Sequence, residues 1–342
     1  MFAKIKRLWS RPSRQTGRQT GVTPEAVAWA YRLVLGREPL PAEVHAHLDH
    51  PDLQALRRAF FTSEEFRRRE RSLCGPSLDG SEPALDIEDE VEGELLERLL
   101  AHIQRSWQQL GQQEPHWSVL SAEQFKQVNL AQHCEQFYQS GRDNVGCLLR
   151  TFRRHACFIE GLADKTVLEY GCGVGRVTHA LASHFRQVHA CDISASHLAL
   201  AKAFTDELGL NNIQYKHISH PRDVMSLPKV DAVVTLIVLQ HNPPPVIKLI
   251  LRSLLDALKQ GGVAYFQLLT YQKGYSFSAR TYLRAVESRA GQIEMHVLPQ
   301  SKVFELIARA NCSVLEVLDD AWTGYRCGEL SNTFVVRKAG LP

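Results

Sequence analysis

Apolar side chains recur along this chain in two rhythms, and one gives way to the other near Gly161. Before that point the spacing is helical. Thr23 is placed to N-cap a helix that starts at Pro24, with Val27, Ala30, Tyr31 and Val34 on one face and Gly36 as the stop. Helical spacing resumes at about Val91 and runs to Glu160, with breaks expected near Gly111–Pro115 and at Gly141. After Gly161 short apolar runs alternate with longer amphipathic ones. "KTVLEYG", "QVHACDI", "NIQYKHIS", "DAVVTLIVL" and "VAYFQLLTY" predict strands. "VTHALASHF", "HLALAKAFTDELG" and "PVIKLILRSLLDALKQGG" predict helices, the last ending at glycine. "CSVLEVLDD" and "LSNTFVVRK" predict a closing pair of strands. Strands this apolar are buried on both faces, and their alternation with helices predicts an α/β fold with a doubly wound sheet.

These patterns divide the chain into five stretches: a basic tail (1–20), a small helical domain (21–74), an acidic linker (75–90), a helical cap (91–160) and the α/β domain (161–340). The tail holds six basic and no acidic side chains. It reads either as a disordered basic segment or as a short amphipathic one, with Phe2, Ile5, Leu8 and Trp9 facing an anionic membrane surface. With 342 residues, 44% hydrophobic and a net charge of +3, the whole chain lacks the charge excess of a nucleic-acid binder. Its eight cysteines include no C-x-x-C pair, and no apolar run approaches a membrane span. A reducing cytoplasm, with peripheral contact at the inner membrane through residues 1–20, is the expected location.

The sharpest chemical signal is "VLEYGCGVGRVTHAL", where a buried strand ends in Gly171, Gly173 and Gly175 and a helix begins at once. Glycines there let a ligand approach backbone amides at a helix N-terminus. A dinucleotide fingerprint would place its third glycine at 176, which is Arg176. With Glu169 before the loop, the segment instead resembles motif I of class I S-adenosylmethionine-dependent methyltransferases. The resemblance implies a mostly parallel seven-stranded Rossmann-like sheet behind an all-helical N-terminal region, with S-adenosyl-L-methionine as cofactor. Glu169, Gly171, Cys172, Gly173, Gly175, Asp192, Ile193, Ser219, Leu236 and Ile237 would hold it. Asp192, 17 residues past Gly175, suits the ribose hydroxyls, though it also reads as an acidic helix cap. Val at 173 is expected to block the ligand with little loss of fold.

"VDAVVTLIVLQHNPPP" brings His241 just past the fourth strand, where the resemblance puts the acceptor. Histidine can take a proton from a hydroxyl near neutral pH, and equally can pack beneath a cofactor. "NPPP" lacks the aromatic of base-modifying relatives, which argues against nucleic acid. His217 and His220 have no third ligand at metal-site spacing. Residues 114–141 resemble the lid of methyltransferases from lipopolysaccharide and exopolysaccharide genes. Trp117, Phe137 and Tyr138 are candidates there for stacking on cofactor or sugar, or for plain core packing. "AYRLVLGREPLPAEV" and "FFTSEEFRRR" resemble a small bacterial domain found beside glycosyltransferases. Together these imply a glycan acceptor, at a sugar hydroxyl or terminal phosphate, for polysaccharide biosynthesis. A small-metabolite or lipid head-group acceptor is the first rival and a non-catalytic scaffold the second. The oligomeric state is left open.

Overall fold

The computed structural model describes residues 21–66, 78, 80–286, 291–320, 322–323 and 328–340. The basic tail and its proposed membrane contact lie outside them. The chain divides into two units, Met1–Pro76 and Ser77–Pro342.

In the first unit, α1 (Pro24–Ala30) starts as its sequence predicts, with Thr23 Oγ1 accepting from Ala26 N–H at 3.2 Å. It continues through a π-helical turn, Tyr31–Leu35, to Gly36 at φ 54°. Helices α2 (Pro41–His47) and α3 (Leu53–Thr62) complete a core of Val27, Tyr31, Leu35, Leu56 and Phe60. Arg37 binds both Glu43 and Glu65 and lies 4.7 Å above the Tyr31 ring, tying residues far apart in sequence.

The second unit departs from the expected linker at its start. Strand β1 (Asp86–Ile87) pairs in parallel with β7 (Ser276–Phe277), and Asp89 and Glu90 both bind Lys248. Two backbone pairings and two ion pairs thus fix a stretch whose acidity alone suggests a solvated tether. Helices α4 (Glu94–Gln113), α5 (Pro115–Val119) and α6 (Leu130–Arg154) follow. The break at Pro115 is present. The one expected at Gly141 is not: α6 runs through it, and a Cβ there would lie 1.7 Å from the Arg176 carbonyl oxygen. Gly141 serves close packing of the helix on the glycine loop.

The sheet contains β2 (Thr166–Tyr170), β3 (Gln187–Asp192), β4 (Ile213–His217), β5 (Val230–Thr235), β6 (Leu258–Gln272), β8 (Cys312–Asp320) and β9 (Glu329–Lys338). Their order is β4-β3-β2-β5-β6-β9-β8, with β9 antiparallel to both neighbours and the other pairings parallel. The two-residue period divides β2 between cores, Leu168 and Tyr170 on one face and Val167 on the other. The order reverses between β2 and β5. A crevice at the C-terminal ends of those strands is where such sheets bind ligands.

Candidate active site

That crevice holds a cleft floored by the loop after β2. Gly171 and Gly173 have φ of 75° and 54°, in the left-handed region. A Cβ on Gly171 would lie 2.3 Å from Val238 Cγ2, and one on Gly173 would lie 2.6 Å from Val119 Cγ2. The expectation that Val at 173 spares the fold therefore fails. Left-handed backbone costs about 1–2 kcal/mol for a residue with a Cβ, and overpacking costs about 1–3 kcal/mol more. Gly173→Val should lower the melting temperature as well as cofactor affinity, read by thermal scanning beside calorimetry.

The carboxylates follow from the strand ends. Asp192, buried at the end of β3, accepts from Gly173 N–H through Oδ2 and from Ser194 N–H through Oδ1, each at 2.8 Å. It caps the following turn and supports the glycine loop together. Glu169 is buried and accepts from the Thr178 hydroxyl at 2.6 Å; burial pushes its carboxyl up to about 8, against the pull of Thr178 and Arg176. Arg176 donates to Ser140 and Asn144 of α6, while its buried Nε has no hydrogen-bond partner among the described residues. A buried orphan donor beside a glycine loop suits a ligand carboxylate.

Eight of the ten cofactor residues expected from sequence line the cleft: Glu169, Gly171, Cys172, Gly173, Asp192, Ile193, Leu236 and Ile237. Ile237 is itself strained, at φ 59°, and its N–H is held by Gln267 Oε1 at 3.1 Å. Gly175 lies beneath the loop, packed on Ala201. Ser219 is a correction: it is exposed, outside the lining, and its N–H and hydroxyl both donate to Asp223. A nearby carboxylate acceptor turned it away from the crevice. The three lid aromatics are also placed differently. Phe137 and Tyr138 are core side chains, packed with Phe125 and Val174, and Tyr138 stacks on Phe204 at 3.7 Å. Trp117 is outside the lining and lies under Lys126, while its neighbours Ser118 and Val119 line the cleft.

His241 does not line the cleft. It sits in a 3₁₀ turn, Leu239–His241, and lines a small adjoining chamber whose wall of Ile103 and Trp107 is shared with the cleft. Trp107 is 5.4 Å from its ring. His241 Nδ1 lies 2.8 Å from the Glu294 carbonyl oxygen, which can only accept, so Nδ1 carries the proton and Nε2 keeps its lone pair. Burial lowers the pKa of this imidazole to about 4. Sequence reasoning missed Ile103 and Trp107: on an amphipathic helix, residues facing a cleft have the same spacing as residues facing a core. Among the described residues no three His, Cys, Asp or Glu side chains are grouped to hold a metal, and no helix is long and apolar enough to cross a membrane.

Residues 167–262 match the family described as a methyltransferase domain. A ubiquinone biosynthesis O-methyltransferase of Pseudomonas fluorescens is 32% identical over 120 residues, covering 34% of this chain and 50% of that one. The same-named protein of Idiomarina loihiensis is 34% identical over 111 residues, covering 32% and 44%. This chain thus spans about half the length of the curated relatives it matches. A magnesium protoporphyrin IX methyltransferase of Synechocystis, solved with bound S-adenosylmethionine, is similar at 15% identity and a TM-score of 0.47, covering 74% of this chain and 100% of that one. Residues 167–262, within the doubly wound unit, are thus similar to a methyltransferase domain.

Proposed function

We propose that this chain is an S-adenosylmethionine-dependent methyltransferase that methylates a hydroxyl oxygen of a small-molecule acceptor, with His241 as the general base. The observation that carries the reading is the shared wall: His241 lies one side chain, Trp107 or Ile103, from the cofactor cleft. Bound S-adenosylmethionine supplies an electrophilic methyl group on a sulfonium sulfur. Methyl transfer then depends on orientation and on removing the acceptor's proton. The residues present fit the cofactor. Asp192 offers further lone pairs to ribose hydroxyls, Arg176 Nε a donor to a carboxylate, and Glu169 an acidic partner for an amino group. His241, neutral and fixed as the Nδ1–H form, offers Nε2 to the acceptor hydroxyl.

The relatives named for O-methylation support an oxygen acceptor. A glycan, the acceptor implied by the sequence resemblances, has one feature in its favour: aromatic side chains beside His241, Trp107 at 5.4 Å and Tyr282 in the same chamber. A terminal phosphate has none, since the chamber carries the Glu294 carboxylate. Calorimetry with S-adenosylmethionine, followed by labelled-methyl incorporation into hydroxyl compounds, tests the reading; absence of cofactor binding overturns it. Glu169 adds a signature. Protonated at pH 7 with its carboxyl near 8, it should ionise beside a cationic ligand. Cofactor binding should then release up to about one proton, seen as an enthalpy that varies with the buffer.

A further inference from the structure

The small chamber beside His241 is one side of a half-buried polar cluster centred on Glu294. Its carboxylate Oε2 accepts from the Tyr282 hydroxyl and from His296 Nε2, the latter at 3.2 Å, and Oε1 lies 3.8 Å from His102 Nε2. His296 therefore carries a proton on Nε2, and its Nδ1 is paired with the Tyr275 hydroxyl at 2.9 Å. Burial works against the charge on Glu294, but the nearby His102 and the hydrogen bonds from His296 and Tyr282 outweigh it and hold the carboxyl below the usual carboxylate range. The charge is thus a fixed feature of the chamber.

Space and charge together restrict what can enter. The inner chamber has about 10 Å³ of free volume, near the size of one water-sized group. Tyr282 also lines a larger pocket of about 450 Å³, together with Tyr275, Phe277, Thr281, His296 and Asp86 among others. A hydroxyl-sized group fits the first, and the second is large enough for the body of a small molecule. Among the described residues no lysine or arginine lines either space, and the carboxylates present are Glu294 and Asp86. An anionic group there would meet like charge at close range with little screening.

We propose that Glu294 is the specificity-determining residue for the acceptor: its carboxylate admits uncharged hydroxyl compounds and turns away those with phosphate or carboxylate next to the reacting oxygen. The inference rests on the hydroxyl-transfer reading above and adds the charge class of the substrate. Glu294 acts by exclusion, as a repulsive element built against the wrong partner.

The test uses the full chain, labelled S-adenosylmethionine and two matched pairs of probes. These are glycerol with glycerol phosphate, and catechol with the dihydroxybenzoate that carries its carboxylate beside a hydroxyl. Wild type should label the neutral member of each pair at least about tenfold faster, as kcat/KM, since one close like-charge contact is worth that much. Glu294→Gln, which keeps the hydrogen-bond acceptor and loses the charge, should narrow the ratio by about tenfold. Glu294→Asp should preserve it. A wild type that labels the anionic member equally well overturns the proposal, and that result stands even if Glu294→Gln does not fold. An unchanged ratio in a folded Glu294→Gln also overturns it, as does bound cofactor with no label in any probe. Cofactor that fails to bind in calorimetry instead brings down the underlying reading, and this one with it.

Discussion

His241→Ala is expected to lower turnover by about 10²–10⁴-fold while cofactor affinity changes little. The split follows from the structure, because His241 lines the chamber beyond Trp107 and not the cleft. Single-turnover rates at saturating acceptor, beside calorimetric affinity, measure both halves. A near wild-type rate would remove the base and point to an acceptor that arrives already deprotonated. The pH profile is the second half of the prediction. An ordinary histidine would switch the rate off near pH 6.5. Here burial lowers the pKa to about 4, and only the neutral ring can accept a proton. The limb assigned to His241 should therefore be flat through neutral pH and fall only as the pH drops through about 4.

The same shift carries a stability cost in acid, and its sign is fixed. The unfolded chain takes up the proton near pH 6.5, whereas the folded His241 and His116, both lowered to about 4 by burial, do not. Their contribution is complete above pH 6.5 and is lost as pH falls through about 4. Denaturation midpoints across that window should fall, and turnover must be read there by brief pH jumps.

Asp192→Ala is expected to weaken S-adenosylmethionine binding by about 1–3 kcal/mol, roughly fivefold to somewhat over a hundredfold. It should also destabilise the unit, because the Gly173 and Ser194 N–H groups lose the oxygens they now meet at 2.8 Å. Asp192→Asn separates the effects. It keeps one acceptor oxygen for the loop but loses the charge that favours hydroxyl donors. Calorimetry with thermal scanning on both variants is the measurement. Unchanged affinity in Asp192→Ala would confine Asp192 to the loop.

The parts of this protein that the sequence determines by itself are those set by local backbone rules. A run such as Val263–Phe266 is apolar at every position on both faces, so it must be a covered strand wherever it lies. Gly171 and Gly173 mark the turn because their φ values are positive, and Asp192 comes at a strand end by the same count along the chain. Helix spacing is weaker information. It predicts helix between about Val91 and Glu160 but cannot say whether Gly141 breaks that helix or lets the Arg176 carbonyl approach. Nor can it tell that Phe137 and Tyr138 join a core while Ile103 and Trp107, on another helix, wall the cleft. Each of those choices depends on what is packed opposite. Glu294 is the extreme case, a lone carboxylate in "EMHVLPQ" with no local pattern around it. His102 lies 192 positions before it, and His241 lies 53. Only the tertiary fold brings those groups together, because the energy that holds a buried charge comes from its neighbours in space.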